Sequence, residues 1–413
     1  MRQKLLPASL AVSRLGLALA SLVASGCVDR ADVGSFGADA GAPLEGGAGS
    51  ADGGDGGPPT ASVTTATTRI AASGDATCAV DAKGGVKCWG NNQHGTLGTG
   101  SFVPGESIAP VGARGLGSGV VAVAGGAYTQ CAILANGTAR CWGRSLFGEI
   151  AGPGTFESVA TADPHDKMGL ANDVAEITFG TGFGCALTTR GRAKCWGSGG
   201  AGQLGTGTTD DQLVARDIAG LDEPVVHVSA AFGGLSACAV TASKKVVCWG
   251  ANTEGQLGTS SPKTALPTYV EELEPDVARV ATGNAHACAL YENGTVACWG
   301  DDTHAQLGRG AKGPSRRAQK IPGVEGAKQI AAGAVHTCAL LGDARVVCWG
   351  ENVAGEVASP PGVRAPTETF AAAFGAVSVA LGFTHTCAIS AAGVVKCVGA
   401  TTRKQTGAGE FSL

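Results

Sequence analysis

Residues 277–300, VARVATGNAHACALYENGTVACWG, place apolar and polar side chains in short alternating runs. A period of two marks strands with one face buried. The stretch holds three such runs: VARVATG, the short CAL piece, and the segment ending in CWG. A weaker fourth run, QKIPGV at 319–324, precedes the next VARVATG-like segment, AKQIAAG at 327–333. No helical period of 3.6 residues runs long enough to compete. Between the second and third runs, Glu292-Asn293-Gly294 reads as a three-residue hairpin loop. Its last position favours a left-handed conformation, which glycine adopts without strain. The same position is Gly84, Gly137, Gly191 and Gly393 in four other copies, and Lys244 and Ala344 in the remaining two.

The unit recurs seven times, each copy marked by two cysteines ten residues apart: Cys78–Cys88, Cys131–Cys141, Cys185–Cys195, Cys238–Cys248, Cys288–Cys298, Cys338–Cys348 and Cys387–Cys397. Successive first cysteines are 53, 54, 53, 50, 50 and 49 residues apart. A near-constant period of this size indicates a propeller or solenoid. With the three-residue loop, Cys288 faces Cys298, Leu290 faces Val296 and Tyr291 faces Thr295. Opposed residues in such a pair lie about 4.5–5.5 Å apart, within disulfide reach. The expectation is one disulfide stapling each hairpin. The Trp after the second cysteine then points to the opposite face, to pack between neighbouring blades. The next residue, Gly300 in this copy, lies opposite His286, where a small residue leaves room for a large one.

The expected fold is all-β, a seven-bladed β-propeller over residues 63–413, whose edges are protected by radial repetition. The segment ASVTTATT at 61–68 is available as a strand to complete the seventh blade and close the ring. In that last copy Val398 stands where the others have Trp.

The unit resembles the repeat of the regulator-of-chromosome-condensation family, most clearly in HACALYENGTVACWGDDTHAQLGRG from His286 and GGLSACAVTASKKVVCWGANTEGQLGTS from Gly233. The resemblance covers roughly residues 63–413 and implies a seven-bladed propeller. The eukaryotic namesake is a nucleotide-exchange factor for a small nuclear GTPase and binds chromatin, through loops that match nothing in this chain residue by residue. Exported bacterial members are protein-binding modules, including inhibitors of β-lactamases, and the resemblance implies a binding role of that kind.

The N-terminal region carries different signals. Arg2, Lys4 and Arg14 precede an apolar run, LGLALASLV at 15–23, too short for the roughly 20 residues of a membrane span. Residues 1–26 therefore read as a signal peptide. The junction Ala24-Ser25-Gly26-Cys27 resembles a bacterial lipobox with Cys27 as the lipidated residue, and it also suits ordinary signal-peptidase cleavage. Residues 27–62 read as a disordered linker. From Ala31 onward the segment is rich in Gly, Ala and Asp, holds five acids and no bases, and has almost nothing to bury.

Over the 413 residues the net charge is −4, which leaves no basic footprint for a nucleic-acid partner. Ten-residue cysteine spacing fits neither zinc pairs nor Cys-x-x-Cys redox motifs. Structural disulfides in an oxidising compartment remain. Gly200-Ala201-Gly202-Gln203-Leu204-Gly205 matches a dinucleotide fingerprint but is one copy of a recurring turn, with no helix pattern after it. His286, His336 and His385, two residues before their cysteines, are expected to be partly buried and bonded to local backbone rather than to a metal. Asn136-Gly137-Thr138 and Asn293-Gly294-Thr295 match the glycosylation sequon but read as hairpin turns. Function is expected in the connections. The longest, 148–174, carries His165, Asp166 and Lys167. A basic cluster of Arg309, Lys312, Arg316, Arg317 and Lys320 is a candidate docking patch for an acidic surface. The sequence thus points to an exported, lipid-anchored, monomeric, non-enzymatic scaffold that binds a protein or cell-envelope ligand without a cofactor. The alternatives are an inhibitor of secreted or periplasmic enzymes and, behind it, exchange-factor-like activity or a polysaccharide-active enzyme.

Overall fold

The computed structural model describes residues 68–413 apart from 146, 151–158, 167–168, 311, 358–361 and 363. The signal segment, Cys27 and the linker lie outside the described residues. Seven four-stranded antiparallel sheets follow one another along the chain, each a simple meander. They form blades 1 to 7, at residues 70–112, 120–166, 174–217, 225–269, 277–320, 327–370 and 376–412. The first strand of each blade touches the first strand of the next, and that of blade 7 touches that of blade 1. The modules therefore go round once.

The hairpin register is the one the cysteine spacing dictates. Cys288 pairs with Cys298, Leu290 with Val296 and His286 with Gly300, and the other blades repeat the pattern. All seven disulfides form within a blade, with Cα atoms 4.0–4.1 Å apart. This is closer than the expected spacing. Counting from the Tyr291 N–H bond to the Thr295 carbonyl, the cysteines fall at a non-hydrogen-bonded pair, the narrower of the two sites in an antiparallel ladder. The loop glycines have φ of 75–81°. Lys244 and Ala344 adopt the same left-handed conformation, at 64° and 68°. Turn geometry thus holds where the sequence departs from glycine.

Each Trp packs into the layer between its own blade and the preceding one, as its alternation relative to cysteine requires. All six are fully buried. Between blades 5 and 6, the Cys288–Cys298 bridge, Leu307 and Ile321 meet Ala339, Leu341 and Trp349. Burying roughly 150–250 Å² of an indole is worth about 4–6 kcal/mol. Each indole N–H also donates to a main-chain carbonyl of the preceding blade's connection, as Trp299 does to Gln256 and Trp349 to Gln306, both at 2.9 Å. The glycine after each Trp is required for a reason other than the expected one. Gly300 has a φ of 101°, and a Cβ there would lie 2.4 Å from the Ala285 carbonyl oxygen. Backbone approach, and not room for His286, excludes a side chain.

Three expectations are corrected. The fourth strand of blade 5 is Ser315–Lys320 rather than 319–324. It is an outer strand with little burial, so its pattern is weak, while Ile321 turns inward to join the layer with blade 6. Part of the connection expected at 148–174 is itself the outer strand of blade 2, Val159–Asp166. Blade 7 draws its outer strand from its own chain end, Glu410–Ser412, rather than from 61–68. Of that segment only Thr68 is described, and its carbonyl accepts the Val123 N–H of blade 2 at 3.0 Å. Side chains join blade 7 to blade 1. Trp89 donates to the Gln405 carbonyl at 3.0 Å and meets Phe411 edge-on at 4.9 Å, and Thr77 bonds His385 at 2.9 Å.

Candidate functional site

The inner edge of each first strand has no strand partner, so its N–H and C=O groups need other acceptors and donors. In most blades a bulge near the second residue re-aims the third, with register shifts at Val225/His227, Val277/Arg279 and Ala327/Gln329. The third-position side chains are Arg69, Ala122, Glu176, His227, Arg279, Gln329 and Ser378 around the ring. Several of them satisfy the neighbouring blade. Glu176 accepts the Val228 N–H at 3.4 Å. His227 donates from Nε2 to the Val280 carbonyl at 2.9 Å. Gln329 spans both the N–H and C=O of Val379, each at 3.2 Å. At the fifth position, Thr178 accepts the Ala230 N–H at 3.1 Å and Ser229 accepts the Thr282 N–H at 3.1 Å.

These strands enclose an axial cavity of about 220 Å³ that touches all seven blades. Glu176, His227, Arg279 and Gln329 put polar groups on its wall in blades 3 to 6, and Ala71, Ala124, Ala331 and Ala380 line it from blades 1, 2, 6 and 7. At the end nearer the turns after the first strands, Phe232 of blade 4 and Phe383 of blade 7 meet across the axis, ring centres 5.1 Å apart. On the polar side His227 Nδ1 lies 2.9 Å from Glu176 Oε2. Arg279 Nη1 stands 3.5 Å from Glu176 Oε1. Burial works to raise the Glu176 pKa, but the charge and hydrogen bond of His227, together with Arg279 and the Val228 N–H, outweigh it and hold the carboxyl below the usual range. Arg279 differs from its third-position neighbours because it reaches back to Glu176 and His227 and caps no strand of blade 6.

The three histidines before the cysteines are not bonded to local backbone, and they are fully buried rather than partly so. Each bonds the threonine hydroxyl of the next blade: His286 to Thr337 at 2.8 Å, His336 to Thr386 at 3.1 Å and His385 to Thr77 at 2.9 Å. Among the described residues no cluster of metal-ligating side chains occurs. The 200–205 turn has no helix after it. Both sequon asparagines accept the N–H two residues on, inside their hairpin loops.

The basic cluster lies on the connection and outer strand of blade 5. Arg309 turns in to the buried Asp302 at 3.4 Å and the Gly313 carbonyl at 3.2 Å. Arg317 pairs with Glu272 at 2.9 Å and Lys320 with Glu274 at 3.2 Å. Among the described residues only Lys312 and Arg316 of the five form no ion pair. His165 contacts the Asp163 and Ile150 carbonyls, each at 3.2 Å, and Asp166 pairs with Arg140 at 3.0 Å. Lys167 lies outside the described residues. Two carboxyls are raised, each chiefly by burial, Asp75 in blade 1 and Glu356 in blade 6. They stand in different blades. Glu356 occupies the turn position of Gln256 and Gln306 and accepts the Ala354 N–H at 2.7 Å.

Comparison with known proteins follows the same repeat. Two models of the regulator of chromosome condensation (RCC1) repeat match. One matches residues 68–96, 174–203, 225–256, 277–306 and 327–356, and the other 191–234, 245–290 and 293–340. Together they cover just over half of the chain, which belongs to the RCC1-repeat family. It is 32% identical over 216 residues to the ultraviolet-B receptor UVR8 of Arabidopsis thaliana, covering 51% of this chain and 47% of that protein. It is 30% identical over 220 residues to the human E3 ubiquitin-protein ligase HERC2, covering 52% of this chain and 4% of that protein. The chain thus spans less than half the length of these relatives. Prp20p of Saccharomyces cerevisiae superposes with a TM-score of 0.67 at 21% identity, over 81% of this chain and 83% of its own, a likeness of fold.

Proposed function

We propose that the chain is an exported, lipid-anchored, non-enzymatic propeller that binds a protein or cell-envelope ligand and acts as a monomer. The observation that carries this reading is the set of seven intra-blade disulfides, one buried in each layer of the ring. Bridges of this kind persist in oxidising compartments outside the cytosol. Family membership supports protein binding, since Prp20p has been characterised for its binding to Gsp1p and histones. The ordered polar groups are largely committed to turns, strand edges and local ion pairs, which leaves varied connections on a rigid scaffold as the place for a partner.

The test uses the full chain. Peptide mass mapping of exported protein should recover all seven bridges, and free thiols at those positions would remove the argument for export. Fatty-acid labelling should mark the wild-type chain and not a Cys27→Ser variant; label on neither refutes the anchor. Capture from an envelope extract should enrich one species over a reduced and denatured control, and enrichment of none counts against the binding role.

A further inference from the structure

We propose that the axial cavity binds a small aliphatic monocarboxylate, its carboxylate held by Arg279 and its tail against the alanine wall. This goes beyond the scaffold reading and does not depend on it. The first argument is an uncommitted donor. Glu176, His227 and Gln329 are occupied with the edges of neighbouring strands, whereas Arg279 engages Glu176 and His227 through Nη1 alone. Among the described residues its Nε and Nη2 have no protein acceptor, and the side chain is 37% exposed beside the cavity. A guanidinium presents its donors in a fixed fork that matches a carboxylate.

The second argument is charge. His227 stands between the Val280 carbonyl at Nε2 and the Glu176 carboxylate at Nδ1. Arg279 Nη1 also approaches the same Nδ1, at 3.4 Å, so the histidine and the arginine converge on the single Glu176 carboxylate. That carboxylate repels an incoming dianion such as phosphate more strongly than a monoanion.

The third argument is size and lining. A cavity of about 220 Å³ holds about seven waters at roughly 30 Å³ each, and lies below the roughly 300–1,000 Å³ of sites for drug-sized ligands. Away from the Glu176–Arg279 cluster the wall is small and apolar, with Ala71, Ala124, Ala331 and Ala380 from four other blades, and Phe232 closes one end. That wall suits a short alkyl chain and offers nothing to a sugar.

Titration calorimetry of the full chain with sodium butyrate, and separately with inorganic phosphate, tests the proposal. Butyrate should bind at one site per chain and more tightly than phosphate. Arg279→Gln should weaken butyrate about tenfold or more, the 1.4 kcal/mol expected of one charge-assisted bond. Ala331→Leu keeps every charge and fills the cavity, and it should abolish binding, with thermal melting to confirm that both variants are folded. Absence of butyrate binding above about 1 mM, phosphate binding as tightly as butyrate, or an affinity unchanged by Arg279→Gln overturns the proposal. Should Arg279→Gln not fold, the Ala331→Leu result decides, and unchanged affinity there overturns it equally.

Discussion

Acid should open this ring through three histidines, and the size of the effect follows from where they lie. His286, His336 and His385 are fully buried at three consecutive blade junctions, each held through Nε2 by a threonine, with Nδ1 lacking a partner. Burial pushes their pKa values down, to about 4 for His286 and about 3 for His336 and His385, and for His336 the other two histidines add to it. In the unfolded chain each titrates near 6.5. A folded pKa below the unfolded one means that unfolding takes up a proton. The stability contributed by the neutral ring is intact above pH 6.5 and lost as pH falls toward the folded value. Within that window each histidine contributes a slope of about 1.4 kcal/mol per pH unit. From pH 6.5 to 4.5 that is about 3 kcal/mol each and roughly 8 for three, comparable to the whole stability of an ordinary domain.

The assay is urea unfolding at several pH values between 7 and 4.5, for the wild type and for His286→Gln, His336→Gln and His385→Gln. Glutamine retains an N–H to offer the threonine and does not titrate, so carboxylate contributions cancel in the comparison. Each substitution should lower the stability at pH 7 and reduce proton uptake on unfolding by about one between pH 6 and 4.5. Variants with the wild-type pH slope would refute the assignment of acid sensitivity to these junctions.

Ala344→Gly should raise stability by about 0.5–1 kcal/mol, because alanine sits in the left-handed region at a φ of 68°; a lower denaturation midpoint would contradict it. Glu356→Gln should raise the melting temperature at pH 7. Burial and the Glu351 charge raise the Glu356 pKa, so its ionised form costs stability above the unfolded pKa. The gain should therefore shrink as pH falls toward 4, and a gain that grows in acid would be inconsistent. Under mild reductant without denaturant, Cys387–Cys397 should open first. Cys397 is 8% exposed and the other half-cystines are fully buried, and the residue after it is Val398 instead of a covering Trp; timed alkylation and mass mapping show the order.

Much of this fold was legible because its determinants are local. Cysteine spacing and a glycine in the hairpin loop fix one register, and that register decides which face the Trp takes. The outer strands were harder to place, since Ser315–Lys320 is mostly exposed and carries little apolar pattern. The histidines were legible as a repeat position but not as junctions. Thr337 is 51 residues from His286, and only the rotation between blades brings them together. For the same reason nothing in the sequence singled out Arg279. Glu176 and His227 are 51 residues apart, and their meeting with Arg279 requires that the ring close and that each first strand bulge one residue before the side chain in question.

Around the axis the chain departs most from its own repeat. The layers between blades need a disulfide, a Trp and a leucine-like residue in nearly every copy, because each must bury the same shape. The inner edges make a weaker demand, since any donor or acceptor of suitable length satisfies a free N–H or C=O. Glutamate, histidine and glutamine do so in blades 3, 4 and 6, while Ala122 of blade 2 contributes no polar group. Stability is thus carried off the axis by the layers. That leaves the axial positions free to differ, and their differences give the cavity a charged side and an apolar one. A repeat protein built from identical units would have a symmetric channel with no preference for the orientation of a ligand. The third-position substitutions remove that symmetry at little cost to the ring.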